Sequence, residues 1–123
     1  MVTQKPLKTA QDYLDAADRE FENANALAAT EHLWEAITCT LKAVAEEKGW
    51  EYDANHLFPV VEKLAGIDGK GDDVLQSTYL AAKTFPSKPR YGYFVWEDGD
   101  SHWMRRVTHE FISTVQELAG RSQ

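Results

Sequence analysis

Five arginines and four histidines supply the phosphate-binding and proton-moving groups of this chain, and their spacing limits what they can do together. Arg105 and His109 stand four residues apart, so on a helix they share one face. A fixed cation beside a titratable imidazole can position a phosphate and shuttle a proton. The competing reading is a solvated face of Arg105, Arg106, His109 and Glu110 that carries no chemistry. His102 and His109 are seven apart, about two helical turns and roughly 10 Å, which is too far to chelate one ion unaided. Glu97, Asp98 and Asp100 precede His102. Hard cations favour such oxygen donors, but the spacing is not that of an EF-hand, and acids at the mouth of a helix complement its dipole. Neither a metal site nor a cofactor is expected.

The ligand-binding set is Lys88, Arg90, Tyr91 and Tyr93, with His56 beside it. Cations next to aromatic faces can hold a phosphate and stack a base. His56, at the opening of a helix, can hydrogen-bond a ligand at one end of the domain or satisfy local backbone groups instead. The aromatic run from Tyr91 to Trp96 has a second reading, as packing or as a contact with another subunit, with Phe94 and Trp96 as interface anchors. Motifs with a fixed catalytic meaning are missing: the sequence has no CxxC, HExxH or GxSxG, and IDGKGDD lacks the Lys-Ser/Thr that completes a P-loop. The single cysteine, Cys39, lies in an apolar helical pattern. It reads as a buried small hydrophobe and not as a nucleophile.

These residues are carried by segments with helical periodicity. Thr9 is the expected N-cap of a first helix reaching about Ala29, with Leu14, Ala17, Phe21, Ala24 and Ala28 as its apolar stripe. A second helix is expected from about Thr30 to Gly49, with Leu33, Ile37, Leu41 and Val44 inward. A third runs from about Asp53 to Ala65 and closes at Gly66, and Pro59 is no contradiction if it falls in the first turn. A fourth runs from about Asp72 to Phe85 with Val74, Leu75, Tyr79 and Ala82 inward, and a fifth from Asp100 or Ser101 to Gly120. Two prolines and two glycines interrupt helix in residues 86–101. Stripes on every segment and short connections predict an all-α fold, an antiparallel up-and-down helical bundle of four to five helices, with residues 1–123 as one domain.

Composition bounds the function. A length of 123 residues fits one domain with a real core. A net charge of −7 argues against broad nucleic-acid binding, which needs a basic surface. No run approaches the roughly 20 apolar residues of a membrane span, and the N-terminus has no signal-peptide core. One cysteine permits no intrachain disulfide. A cytoplasmic protein, with no membrane partner, is expected.

Three stretches together resemble the HEPN superfamily (higher eukaryotes and prokaryotes nucleotide-binding domains). EAITCTLKAVAEEKGWEYDANHLFPVVEKL, residues 35–64, is similar to that family's hairpin: an apolar helix ending in glycine, a short loop, and a His-Leu pair opening the next helix. YLAAKTFPSKPRYGYF, residues 79–94, resembles its helix followed by an Arg-Tyr pair, here Arg90 and Tyr91. The closing amphipathic helix is the third. The resemblance implies a helical bundle, often a homodimer, that binds nucleotides, accompanies a small nucleotidyltransferase or cuts RNA. RNA-cutting members share an arginine separated by four to six residues from a histidine. No pair here has that gap, and Arg105 and His109 have three residues between them. The expectation is therefore a non-catalytic accessory or binding module. The alternatives are a ribonuclease using Arg105 and His109, and a structural dimerisation protein.

Overall fold

The computed structural model describes residues 9–69, 73–85 and 98–120. Five helices form among them: α1 (Ala10–Glu22), α2 (Ala26–Lys48), α3 (Phe58–Asp68), α4 (Val74–Lys83) and α5 (Asp98–Ala119). There is no strand among the described residues, and the fold is an all-α helical bundle. No helix of the described residues is long and apolar enough to cross a membrane.

Thr9 starts α1 as its residue type dictates. Its side chain accepts from the Asp12 backbone N–H at 3.1 Å, and the Asp12 carboxylate accepts from the Thr9 N–H at 3.2 Å. This reciprocal box satisfies two otherwise orphaned donors. The helix stops seven residues short of the expected Ala29. Asn23 ends it, Ala24 turns the chain at φ +59°, and the Asn25 side chain caps α2 by accepting from Ala28 N–H at 3.3 Å. The apolar period runs on through this turn because Ala28 and Ala29 belong to the α2 pattern, and alanine carries little directional signal. Ala24 is exposed and does not join the core stripe.

Both ends of α3 and the burial of Val74 also differ from expectation. Helix α3 begins at Phe58 and not near Asp53, because residues 53–56 make a turn of their own. There the Asp53 carboxylate accepts from Asn55 N–H at 2.8 Å, and the Asp53 carbonyl accepts from His56 N–H at 2.9 Å. Pro59 accordingly falls in the first turn of α3, where its missing N–H costs nothing. The later start carries α3 through Gly66 to Gly69, which takes the left-handed conformation at φ +69° and closes the helix. Val74, expected inward, is the first residue of α4 and is 66% exposed, since the helix mouth points it past the core.

Helix α2 is the centre of the bundle. Leu33, Ala36, Ile37, Leu41, Val44 and Ala45 are buried along it. Around it pack Leu14 and Ala17 of α1, Val60, Val61 and Leu64 of α3, Leu75 and Tyr79 of α4, and Met104, Phe111, Val115 and Leu118 of α5. The buried threonine hydroxyls are satisfied inside their own helices: Thr40 donates to the Ala36 carbonyl at 2.9 Å and Thr108 to the Met104 carbonyl at 2.8 Å.

Candidate functional site

Arg105 and His109 do share α5, but their surroundings separate them. The Arg105 guanidinium reaches Asp18 of α1, 2.8 Å from Nη2 and 3.0 Å from Nε to the same carboxylate oxygen. It also lies over the Phe21 ring, 4.9 Å from the centroid. A carboxylate and a π face together occupy the cation. His109, one turn on, is exposed, as are Arg106 and Glu110. Arg105 thus ties α1 to α5. Asp18, 87 residues away, had no signature in sequence that pointed to this role.

The remaining histidines are dispersed. His102 is exposed near the start of α5, and His32 is half-buried on α2 with its ring 6.2 Å from that of Tyr13. His56 is exposed in the turn before α3, where its backbone N–H closes on Asp53. Lys88, Arg90, Tyr91 and Tyr93, together with Phe94 and Trp96, lie outside the described residues. Among the described residues no group of three or more His, Cys, Asp or Glu side chains is gathered as a metal ion would require.

Cys39 departs from the expected buried hydrophobe. It is half-buried and borders two surface clefts, one with Thr40, Val44 and Gln116 and one with Tyr13, Lys42 and Glu46. Burial raises its thiol above the usual value. The Lys42 ammonium opposes that shift, and the Glu35, Asp12 and Glu46 carboxylates reinforce it. The thiol is therefore kept protonated, the opposite of an activated nucleophile. Tyr52 donates to the Glu46 carboxylate at 2.6 Å, and that hydrogen bond, which holds the phenolic proton, is the main reason its pKa is raised above the usual tyrosine value.

Two cations not singled out by spacing, Lys42 of α2 and Lys83 of α4, come together in a cleft with Trp34 and Tyr79. The signal was present in part: Trp34, Thr38 and Lys42 are successive residues of an i, i+4 row. The facing helix that makes the row meaningful is far away in sequence. No protein-family model, curated protein or solved structure matches the chain.

Proposed function

We propose that the chain is a non-catalytic, HEPN-like accessory or binding module that works as a homodimer, in association with nucleotides or with a small nucleotidyltransferase. The observation that carries the non-catalytic part is the state of Arg105. Its guanidinium is engaged by Asp18 and Phe21 while His109 stands exposed. An arginine so occupied is poorly placed to stabilise charge on a phosphate during strand cleavage. The arginine-histidine gap of three residues supports the same reading.

Self-association is supported by apolar surface. Val74 is 66% exposed, Leu80 51% and Trp103 42%, the last standing edge-on to Phe85 at 5.6 Å between centroids. Where such residues form one patch they mark an interaction site, and a two-fold pair is the simplest use of it.

Purified protein incubated with single-stranded and hairpin RNA is expected to leave both intact. Cleavage that His109→Ala abolishes, with the helical spectrum retained, overturns the non-catalytic reading in favour of a ribonuclease using Arg105 and His109. Sedimentation at tens of micromolar is expected to give a dimer weakened by the Phe94→Ala/Trp96→Ala double substitution. A monomer there removes the dimer. A dimer indifferent to both substitutions moves its interface onto the helix faces that carry Val74, Leu80 and Trp103.

A further inference from the structure

Helices α2 and α4 touch through one aromatic pair, Trp34 and Tyr79, with ring centroids 5.3 Å apart. They are not packed along their length. The space left between them, floored by the α2–α3 connector, is a cleft of about 280 Å³. On α2 the row Trp34, Thr38 and Lys42 lines it, each four residues from the last; on α4 Tyr79 and Lys83 do, again four apart. Its wall is aromatic, with Tyr79 buried and Trp34 half-buried. Its rim is cationic, with Lys42 half-buried and Lys83 exposed.

The charges in the cleft do not cancel. Among the described residues neither lysine takes part in an ion pair. Two ammoniums and one carboxylate, that of Glu35, line the cleft, and Lys42 also borders the neighbouring cleft with Glu46, on a chain whose net charge is −7. The cleft lining thus has the sign opposite to the net charge of the chain. The polar groups present suit an anion as well. The Tyr79 hydroxyl receives the Leu57 backbone hydrogen bond, which fixes the ring and leaves the phenolic proton as a donor. Asn55 on the connector adds an amide at the same cleft. The volume lies at the small end of ligand pockets, roughly 300 Å³ upward.

We propose that the α2–α4 cleft binds a small aromatic anion, with its flat ring against Trp34 and its carboxylate or phosphate monoester held by Lys42 and Lys83. The site lies on described residues of α2, the connector and α4, and stands whether or not the bundle acts as an accessory module. Glu35 is its built-in limit: one carboxylate at the rim weakens every anion, so its removal strengthens binding.

The experiment is titration of isotope-labelled full-length protein at low salt with phenyl phosphate, benzoate, inorganic phosphate and, as the uncharged control, phenol, followed by amide and indole resonances. At least one of phenyl phosphate and benzoate is expected to saturate shifts at Trp34, Asn55 and Lys83, with phenol and inorganic phosphate each about threefold or more weaker. Tighter phenyl phosphate assigns a phosphate monoester as the natural head group; tighter benzoate assigns a carboxylate. Lys42→Gln/Lys83→Gln is expected to lower affinity about tenfold, and Glu35→Gln to raise it about twofold. Because Glu35→Gln predicts a gain, a loss of fold cannot imitate it, and unchanged thermal melts verify all variants. Phenol binding as tightly as the anions, a double variant that binds like the wild type, or shifts confined to residues away from the cleft each overturn the proposal.

Discussion

On the α1–α5 face a guanidinium lies over a phenyl ring, and the α2–α4 cleft is lined by two lysines and a tryptophan. Both regions combine cationic and aromatic side chains and differ in the carboxylate. Asp18 meets Arg105 at 2.8 Å and occupies it, whereas Glu35 shares its cleft with two lysines and forms an ion pair with neither. The packing differs in parallel. Helices α1 and α2 pack closely, and Arg105 only fastens the outside of that layer to α5. Helices α2 and α4 are not packed along their length, and beside the Trp34–Tyr79 ring pair lies a cleft where a ligand fits. A cation that already has its carboxylate works as a structural tie. A cation left beside a void is available to something from solution.

The largest expected effect comes from removing the aromatic residue on each side. Tyr79 is 4% exposed and touches both Trp34 and Phe58. Truncating a large buried aromatic side chain costs about 3–5 kcal/mol, and Tyr79→Ala is expected to lose that much in urea unfolding. Phe21 is half-buried, so Phe21→Ala is expected to lose about 1–2 kcal/mol. Equal losses break the comparison, because they make the outer face as much a part of the core as the cleft wall.

The next effect is smaller and concerns the tie itself. The side chains of Arg105 and Asp18 are 33% and 46% exposed, so solvent screens their attraction. A double-mutant cycle of Arg105→Met and Asp18→Asn is expected to give a coupling under about 1 kcal/mol, falling further in high salt. A coupling of several kcal/mol marks the pair as effectively buried and denies it the role of an outer fastening. The turn that brings α1 onto α2 offers a gain of similar size. Ala24 sits at φ +59°, a conformation that costs an L-residue about 1–2 kcal/mol, part of which glycine gives back as lost chain entropy. Ala24→Gly is expected to raise stability by roughly 0.5–1 kcal/mol, and any loss contradicts the strain assigned to that turn.

Much of the bundle was legible in sequence wherever one local rule sufficed. The Thr9 cap, the end of α2 at Gly49, the place of Pro59 in a first turn and most inward residues of α2 and α5 follow from side-chain chemistry within a few positions. Boundaries were misread where two rules competed. Asn25 is a good N-cap, yet the alanines after it continue the apolar period before it. Asp53 is a good cap as well, but it spends its carboxylate on Asn55 in a turn that ends before the helix starts. Gly66 looks like a stop, although helix continues through it to Gly69. The candidate sites were less legible for a different reason. Arg105 was visible and its partner Asp18 was not, and Lys42 and Lys83 gain meaning only when α2 and α4 face each other. Pairings between helices distant in sequence leave no periodic trace.

The smallest effect reaches the cleft through its neighbour Cys39. Burial is the main reason the thiol is raised; Lys42 pulls it down, and Glu35, Asp12 and Glu46 push it up. An acid whose pKa is raised by folding holds its proton more tightly in the native state. Its stabilising contribution is therefore complete below the ionisation of the unfolded thiol and is lost as pH rises through that of the folded one. Two consequences follow in mildly alkaline solution. Native Cys39 is expected to react with iodoacetamide more slowly than a free thiol at the same pH, because less of it is thiolate. Cys39→Ser is expected to flatten the small fall in melting temperature over that range. The cleft residues then act in opposite directions on one readout: Lys42→Gln removes the favourable cation and slows alkylation further, while Glu35→Gln removes a repelling carboxylate and speeds it. Both changes shrink in high salt, since the charges act partly through solvent. If Lys42→Gln speeds the reaction, Lys42 is not the cation that faces the thiol, and its place on the rim of the α2–α4 cleft is thrown into question with it.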